Sequence, residues 1–368
     1  MLHSRLRPLP RRNHTSARIP ALAPTPDRDQ DSKPETEEEE DESSDDAEDL
    51  FGAFLPHLFP DDAPSFHGDP GKHLLYSSPR YGELEIMVPS YPENNKSTDS
   101  SSAVTGQGNG NGNGKNNAEE GRKLFAHFLW SSGMVVAEGV ELAACDSKDD
   151  LNDPEYFVDD DALQEAKEIW SVRGEDVLEL GAGAGLSSLI CALSNACSVT
   201  ITDHPSSPAL KGAIQFNISH NLRNIESNTN TKTYTKSTDI SIHPHEWGNL
   251  SDTFAAENKG KFTRIIAADC YWMLSQHENL CTSMDWFLAP KGKVWVVSSF
   301  HTGRAVVSSF FDTADEFGFV VERIWERDVV EKDADGRERR REWWACGAEG
   351  ALERKRWCVV AVLKRREV

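Results

Sequence analysis

Three glycines at alternate positions follow a short apolar run and form the segment best suited to hold a small molecule. The run covers residues 177–180, and the glycines are Gly181, Gly183 and Gly185. The run predicts a buried strand, and the glycines predict a turn whose backbone comes close to something bulky. Asp203 ends a second apolar run, and a carboxylate offers several lone pairs to a vicinal diol. This order of elements predicts one nucleoside-binding half of a doubly wound sheet.

The glycine spacing distinguishes between nucleoside cofactors. A dinucleotide site has the pattern G-x-G-x-x-G, in which the third glycine lies three places after the second. In this chain that place holds Leu186, and the third glycine is Gly185. We therefore keep a nicotinamide-dinucleotide oxidoreductase only as a weaker alternative. A turn that merely lets a helix pack on a strand is a further alternative, which the preceding acid and Asp203 disfavour.

Composition and charge exclude several classes of protein. The 368 residues carry a formal net charge of −22, which argues against general binding of a nucleic-acid phosphate backbone. The seven cysteines form no C-x-x-C pair and show neither zinc spacing nor a disulfide pattern. No apolar run approaches the roughly 20 residues of a membrane-spanning helix. We expect no metal, no nucleic-acid partner and no membrane, and a cytoplasmic monomer, with the nucleus as an alternative location.

The composition divides the chain into four parts. Residues 1–49 are basic and then strongly acidic, and we expect a disordered arm because like charges at this density resist collapse. The basic start overlaps in composition with a mitochondrial transit peptide, but its prolines would interrupt an amphipathic helix. Residues 50–92 predict an N-terminal extension with a small hairpin around a turn at 79–82. Residues 93–120 predict an Asn/Gly/Ser-rich flexible insertion, and residues 121–368 predict a Rossmann-like domain.

The last part alternates helices and strands. We predict two initial helices, near 124–145 and 162–170. Strands are predicted near 176–180, 198–202, 264–268 and 293–299, helices near 186–194, 208–222, 275–288 and 304–316, and a weaker strand within 231–237. Two late strands, near 319–327 and 357–364, flank a charged segment that predicts a solvated loop and contains Arg337, Arg339, Arg340 and Arg341. The pattern predicts an α/β fold with a seven-stranded, doubly wound, mostly parallel sheet and an antiparallel C-terminal edge hairpin.

Segments in a fixed order carry a resemblance to a known enzyme family. The E-L-G-x-G-x-G pattern at 179–185 resembles motif I of class I S-adenosylmethionine-dependent methyltransferases. The segments at 127–133 (HFLWSSG), 245–248 (HEWG) and 265–272 (IIAADCYW) are similar to elements of the family-16 protein-lysine methyltransferases and of the fungal nicotinamide N-methyltransferase-like group. The segment at 67–82 is similar to the N-terminal extension of that fungal group. The resemblance implies a class I methyltransferase domain at 121–368 and S-adenosyl-L-methionine as the cofactor.

The resemblance also implies a set of cofactor-binding residues, namely Trp130, Glu179, Gly181, Ala182, Gly183, Gly185, Asp203, Trp247 and Ala268. In this family the glycine turn lies against the methionine and ribose parts of the cofactor, and Asp203 would accept from the ribose hydroxyls. Trp130 and Trp247 would frame the cofactor, because aromatic faces stack on adenine and attract a sulfonium. Both tryptophans also fit a role in core packing.

Catalytic roles for Asp269 and Trp272 follow from the same resemblance. Asp269 ends the fourth strand, at the edge where doubly wound sheets bind ligands, and would orient an acceptor amine. Related enzymes often have Tyr or Phe where this chain has Trp272, which leaves the role of that aromatic open. An N-cap of the next helix is the alternative for Asp269. His301 and Arg304 follow the fifth strand and are candidates either for the substrate side or for capping the next helix.

We therefore expect an S-adenosylmethionine-dependent N-methyltransferase whose acceptor is a protein lysine or an N-terminal amine, so that its partner is a protein substrate. In-line transfer from a sulfonium requires alignment and desolvation rather than a metal or a covalent nucleophile. A small-molecule, nicotinamide-like N-methyltransferase is the first alternative. A non-catalytic S-adenosylmethionine-binding scaffold is the second.

Overall fold

The computed structural model describes residues 2–9, 66–90, 128–151, 158–227, 238–334, 336–347 and 350–367. Its strands are β1 (Leu6–Pro8), β2 (Phe66–His67), β3 (His73–Ser78), β4 (Gly82–Met87), β5 (Leu129–Trp130), β6 (Asp176–Leu180), β7 (Ser198–Asp203), β8 (Asp239–Pro244), β9 (Phe262–Ala268), β10 (Leu288–Ser299), β11 (Phe319–Lys332), β12 (Glu338–Arg341) and β13 (Trp357–Arg365). Its α-helices are α1 (Ser131–Ala143), α2 (Asp160–Trp170), α3 (Leu186–Leu193), α4 (Ala213–Ser227), α5 (Thr253–Glu257), α6 (His277–Phe287), α7 (Arg304–Glu316) and α8 (Ala351–Arg356). Short 3-10 helices lie at His3–Arg5, Lys148–Asp150, Pro208–Lys211 and Leu274–Gln276.

The large sheet has the strand order β12-β11-β13-β10-β9-β6-β7-β8. Strands β10, β9, β6, β7 and β8 pair in parallel, whereas β13 pairs antiparallel with both β10 and β11. The prediction of a doubly wound, mostly parallel α/β sheet with an antiparallel C-terminal hairpin is confirmed. The predicted count of seven strands is wrong, because the described residues add β12 as an eighth strand and β12 forms the edge.

Strand β12 lies where the arginine-rich sequence predicted a solvated loop. Its backbone pairs antiparallel with β11. Carboxylates hold its cations: Arg341 Nε lies 2.7 Å from Glu326 Oε2, and Arg340 Nη1 lies 2.9 Å from Glu165 Oε2. The other two arginines of the segment form ion pairs as well, Arg337 with Asp159 and Arg339 with Glu331. The segment forms a strand because β11 pairs with its backbone groups and the carboxylates pair with its charges, although its sequence does not alternate between apolar and polar residues.

Both faces of the large sheet are covered by helices. Successive residues of β6 point to opposite faces, so that Val177 belongs to one hydrophobic cluster and Leu178 to the other. The first cluster joins the sheet to α1, α2, α3 and α4, and the second joins it to α5, α6 and α7. Strands buried on both faces carry nearly continuous apolar runs, which explains why β6 and β7 could be predicted from the sequence.

The predicted helices agree with the structure except near their ends. Those predicted at 162–170, 186–194, 275–288 and 304–316 are confirmed as α2, α3, α6 and α7. The helix predicted at 124–145 begins at Ser131, and residues 124–127 lie outside the described part of the chain. The helix predicted at 208–222 is interrupted at Gly212, between a 3-10 helix and α4. The weaker strand predicted within 231–237 also lies outside the described residues, and β8 follows it.

The N-terminal extension and the first residues of the chain form a separate three-stranded sheet in the order β1-β3-β4. Strands β3 and β4 confirm the predicted hairpin. Strand β1 pairs antiparallel with β3, and the side chains of Leu2 and Arg5 beside it are buried. The prediction that all of residues 1–49 form a disordered arm is therefore wrong for residues 2–9, because this segment buries apolar and ion-pairing groups against the fold. Residues 10–49 and the insertion predicted at 93–120 lie outside the described residues.

Strands β6, β7, β9 and β10 run in parallel, so that their carboxyl ends meet at one edge of the sheet. Ligands bind at this edge in open α/β sheets. No helix in the described residues has the length and apolar character needed to cross a lipid bilayer. In the same residues, no three His, Cys, Asp or Glu side chains come together as metal ligands would.

Candidate functional site

A cleft of about 730 Å³ opens at the carboxyl ends of β6, β7 and β9. This volume includes the space open to solvent at the mouth of the cleft. The cleft brings together most of the residues for which the sequence predicts a role at the site, namely Trp130, Gly181, Gly183, Asp203, Trp247, Ala268, Asp269 and Trp272. The remaining three predicted residues, Glu179, Ala182 and Gly185, are not among the residues that line it.

The turn after β6 is formed by glycines with positive φ. Gly181 has a φ of 68° and Gly183 a φ of 54°, values that residues other than glycine rarely adopt. A Cβ on Gly181 would lie 2.9 Å from Trp247 Cζ2, whereas the nearest atom to a Cβ on Gly183 would be Phe128 O at 3.9 Å. Gly181 therefore lets Trp247 pack on the turn, and Gly183 leaves room in the cleft for a ligand to approach the backbone.

Three predicted residues do not line the cleft but stabilise this turn through hydrogen bonds, namely Glu179, Ala182 and Gly185. The Glu179 carboxylate accepts from the backbone N–H of Ser188 at 3.1 Å and from the Ser188 hydroxyl, which ties β6 to the first turn of α3. Burial raises the pKa of Glu179 to about 7. The Gly185 N–H donates to Ala182 O at 2.8 Å, and Gly185 is the N-cap of α3. A cofactor-binding role for these three residues stays a prediction, and it would act through the shape of the turn.

Asp203 links the end of β7 to the glycine turn. Its Oδ2 accepts from the Gly183 N–H at 2.8 Å, and its Oδ1 accepts from the His204 N–H at 2.7 Å. A carboxylate has about four acceptor positions, so these two bonds are compatible with another from a ligand hydroxyl. The proposed contact with ribose hydroxyls stays a prediction. The observed bonds hold the carboxylate at the cleft.

Asp269 follows β9 with a strained backbone and a buried side chain. Its φ is 51°, and a non-glycine residue in this region costs on the order of 1–3 kcal/mol, a strain found mainly at functional sites. Oδ1 accepts from the Ser299 N–H at 3.0 Å, from the Ser298 hydroxyl at 3.1 Å and from the Ser299 hydroxyl at 3.2 Å. Oδ2 is buried without a hydrogen-bond partner among the described residues.

Asp269 does not cap a helix. The N-cap of the 3-10 helix Leu274–Gln276 is Met273, and the N-cap of α6 is Gln276. The alternative interpretation of Asp269 as an N-cap is therefore wrong. A buried acceptor atom without a partner, next to a cleft, instead indicates a place for a ligand N–H or O–H group.

Aromatic side chains form one wall of the cleft. Phe128 and Trp130 line it, and the ring of Phe66 lies behind them, 4.4 Å from Phe128 and 5.5 Å from Trp130 between centroids. His301 stacks on Trp130 with a centroid distance of 4.6 Å, and burial lowers its pKa, which favours the neutral imidazole. Of the two candidates after the fifth strand, the structure thus places His301 beside the cleft wall. Arg304 lies elsewhere, in a buried ion pair.

The ion pair of Arg304 is with Glu326, and the guanidinium also donates to the carbonyl of Trp344. Arg304 is not among the residues that line the cleft. Its charge therefore serves the packing of α7 on β11.

Several cleft residues were not predicted from the sequence, namely Phe128, His204, His245, Glu246, Cys270, Met273 and Gln276. His245 is buried, its Nε2 lies 2.9 Å from Ser283 Oγ, and burial lowers its pKa. Most of these residues are direct chain neighbours of predicted ones, because each strand end contributes a short loop rather than one side chain. Adjacency to Asp203, Trp247 and Asp269 was the signal that could have found them.

The comparisons of the sequence with known proteins point to methyltransferases. The sequence profile of the lysine methyltransferase family matches residues 116–317. The protein N-terminal and lysine N-methyltransferase EFM7 of Yarrowia lipolytica is 29% identical over 215 residues, covering 55% of this chain and 68% of that protein. The corresponding protein of Schizosaccharomyces pombe is 28% identical over 213 residues, with the same coverage of 55% and 68%.

Solved structures of methyltransferases are more distant. A TehB-like SAM-dependent methyltransferase from Corynebacterium glutamicum aligns with a TM-score of 0.34 and 15% identity, over 53% of this chain and 82% of that chain. A SAM-dependent methyltransferase from Methanosarcina mazei aligns with a TM-score of 0.36 and 11% identity, over 54% and 96%. The sequence match is the stronger finding: it covers more than half of the chain, and it contains every residue that lines the cleft. The chain belongs to the lysine methyltransferase family.

Proposed function

We propose that this chain transfers a methyl group from S-adenosylmethionine to a nitrogen of a protein, either a lysine side chain or an N-terminal amine. The observation that carries the proposal is the cleft itself, which is lined by the glycine turn, by Asp203 and by Asp269, whose Oδ2 has no hydrogen-bond partner among the described residues. The relatives EFM7 are named protein N-terminal and lysine N-methyltransferases, which supports a protein acceptor.

The residues present fit the cofactor. The cleft opens at the edge of the sheet where α/β folds bind ligands, and at Gly183 its floor has no side chain. Gly183 and Asp203 would hold the polar part of the ligand, and Trp130 and Trp247 would contact its flat and cationic parts. When bound, S-adenosylmethionine supplies a methyl group already activated by the sulfonium.

The chain's own residues then have to align an amine and exclude water. The Ser298 and Ser299 groups fix one oxygen of Asp269, so that the other is held in one orientation and can accept from an N–H of the acceptor. Alignment of this kind contributes several kcal/mol to catalysis, on the order of 7–11 at most. A carboxylate favours the ammonium form of an amine, so we assign Asp269 to recognition and positioning, and the amine loses its proton to water at the open mouth of the cleft before the methyl transfer.

The aromatic wall complements this role. Phe128, Trp130 and Trp272 line the cleft, where they exclude water and attract the positive charge of an entering ammonium group. Exclusion of water strengthens the hydrogen bond between Asp269 and the acceptor, because charges interact more strongly at low dielectric.

Transfer of radiolabelled methyl from S-adenosylmethionine into a cell lysate tests the function. We expect label in discrete protein bands with the wild-type chain and none with Gly183→Arg, whose side chain would fill the cleft. Arg7→Ala, on the far N-terminal strand and more than half exposed, is the matched control that should transfer normally. Mass spectrometry of labelled peptides then separates lysine from N-terminal methylation.

The remaining outcomes decide between the alternatives. Label found only in small molecules supports a nicotinamide-like N-methyltransferase instead. Tight binding of S-adenosylmethionine by calorimetry, with no transfer to any acceptor, supports the non-catalytic scaffold. Absence of S-adenosylmethionine binding contradicts the proposal as a whole.

A further inference from the structure

Strand β4 is an edge strand whose outward backbone groups are bonded by asparagines of helix α4. Asn217 Oδ1 accepts from the Met87 N–H at 2.7 Å, and its Nδ2 donates to Met87 O at 3.0 Å. One helical turn later, Asn221 Oδ1 accepts from the Glu85 N–H at 2.9 Å, and its Nδ2 donates to Glu85 O at 2.8 Å. Each amide therefore pairs with one residue of the strand as a neighbouring strand would.

The spacing explains why a helix can do this. Residues four apart on an α-helix are separated by about 6 Å along its axis. Residues two apart on a strand are separated by about 6.8 Å and point the same backbone groups outward. Asparagines four apart on α4 consequently match alternate residues of β4, and both are fully buried in the contact.

Asn217 makes one more contact that Asn221 does not. Its Nδ2 also donates to Ala184 O at 2.8 Å, within the glycine turn between Gly183 and Gly185. The second donation of Asn221 goes to Asn217 O at 2.7 Å, inside the helix. Asn217 is thus bonded at once to the extension and to the turn that forms the floor of the cleft.

The extension reaches the cleft at a second place. Strand β2 pairs with β5, so that Phe66 lies opposite Trp130 and packs behind the aromatic wall. The described extension, residues 66–90, precedes the region matched by the family, which begins at 116.

We propose that the N-terminal extension, residues 66–90, is part of the cofactor-binding site, and that Asn217 is the positioning residue that holds the glycine turn through Ala184. The extension fixes Asn217 with two hydrogen bonds, and Asn217 fixes Ala184 O with a third. The turn therefore depends for its geometry on a segment outside the matched domain. This inference rests on the proposed function only in taking S-adenosylmethionine as the ligand.

The substitutions Asn217→Ala and Asn221→Ala form a matched pair for the test. Both remove a buried amide and both leave one residue of β4 without its partner, so we expect similar losses of thermal stability. Only Asn217→Ala also removes the hydrogen bond to Ala184 O in the glycine turn. Titration calorimetry with S-adenosylhomocysteine should show about fivefold weaker binding for Asn217→Ala, the effect of one net hydrogen bond, and less than a twofold change for Asn221→Ala.

Two further readouts separate positioning from general destabilisation. In the protein without ligand, amide hydrogen exchange across residues 181–189 should be faster in Asn217→Ala than in Asn221→Ala. In turnover assays, KM for S-adenosylmethionine should rise in Asn217→Ala, with KM for the acceptor unchanged. Equal changes in affinity and exchange for the two variants overturn the inference.

A second pair covers the case in which the alanine variants fail to fold. Asn217→Ser and Asn221→Ser leave a neutral hydroxyl and so avoid a buried charge, but a hydroxyl is shorter than the amide and has one donor hydrogen, so neither variant can make both donated bonds. The same difference in affinity is expected between them, and an equal affinity contradicts the inference. A wild-type chain that does not bind S-adenosylhomocysteine contradicts the proposed function instead, so the two failures are distinguishable.

Discussion

Replacing Arg5 by alanine tests whether the first residues of the chain belong to the fold. The Arg5 guanidinium lies 2.6 Å from Glu138 Oε1 and 3.3 Å from Glu141 Oε2. The side chains of Arg5, Glu138 and Glu141 are 9%, 7% and 1% exposed, so water has little access to replace the lost cation. Removing one partner of a buried ion pair lowers the free energy of unfolding by about 3–5 kcal/mol.

Two features place the expected loss near the lower end of this range, at about 3 kcal/mol. Arg327 also pairs with Glu138, so that carboxylate keeps one cation. Burial raises the pKa of Glu141 to about 7, and the charge of Arg5 opposes this shift. Without Arg5 the pKa of Glu141 rises further, and the carboxyl takes up a proton rather than remain ionised.

Proton uptake by Glu141 makes the loss of unfolding free energy in Arg5→Ala depend on pH. Because the pKa of Glu141 is higher in the folded than in the unfolded chain, its contribution to stability falls as pH rises through about 7. In the variant the pKa difference is larger, so this fall is larger as well. We expect the difference in unfolding free energy between wild type and Arg5→Ala to be greater near about pH 8 than near about pH 5.5.

Guanidinium chloride unfolding, followed by tryptophan fluorescence, measures this difference. The matched control is Arg7→Ala, since Arg7 pairs with Glu83 at the surface, where the two side chains are 53% and 56% exposed. An exposed pair of this kind often contributes nothing measurable, so the control should unfold like wild type. If Arg5→Ala also unfolds like wild type, at both pH values, the assignment of residues 2–9 to the fold is wrong.

Four further substitutions test the site. Gly181→Ala should lower the free energy of unfolding by about 2–3 kcal/mol, because its Cβ would lie 2.9 Å from Trp247. Gly183→Ala should lower it by only about 1 kcal/mol but bind S-adenosylhomocysteine at least tenfold more weakly. Thermal unfolding measures the stabilities and calorimetry the affinities, and equal losses of stability contradict the packing argument. Asp269→Asn should lower kcat about 100-fold through misplacement of the amine while cofactor affinity changes less than twofold, and single-turnover rates that match wild type contradict this role. Glu179→Gln should match wild type near about pH 4, below the ordinary pKa of a glutamate, and be more stable by up to about 3 kcal/mol near about pH 8. The reason is that the pKa of Glu179 is raised to about 7, so that its buried carboxylate ionises in the folded chain above that pH. A pH series of unfolding midpoints that runs parallel to wild type contradicts the buried-carboxylate argument.

The parts of the site that the sequence predicted are those set by local pattern. An apolar run followed by glycines specifies β6 and its turn, and an acid at the end of a strand specifies where Asp203 and Asp269 lie. These features depend only on neighbours in the chain and on the rule that parallel strands end at a common edge. The same rule placed His301 beside the cleft, although not as a lining residue.

The parts that the sequence did not predict depend on distant partners. Strand β1 has three residues and exists because Leu6 pairs with Tyr76, seventy positions away in the chain. In the sequence, Asn217 cannot be distinguished from other polar residues of a helix. Its role becomes visible only in the structure, where it contacts the backbone of Met87 and the carbonyl of Ala184. Long-range pairing of this kind leaves no periodic signal, so only the folded structure reveals it.

The arginine-rich strand β12 has a consequence for the exposed margin of the large sheet. Strand β11 is 14 residues long, and β12 pairs with its second half, from Glu326 to Lys332. A long, unprotected strand at a sheet margin is a template to which a second molecule can add its own strand. β12 occupies that template with only four residues, and ion pairs with carboxylates already hold its three arginines. The charged sequence that resembled a loop thus covers the second half of β11, and it leaves only a short strand at this margin of the described sheet.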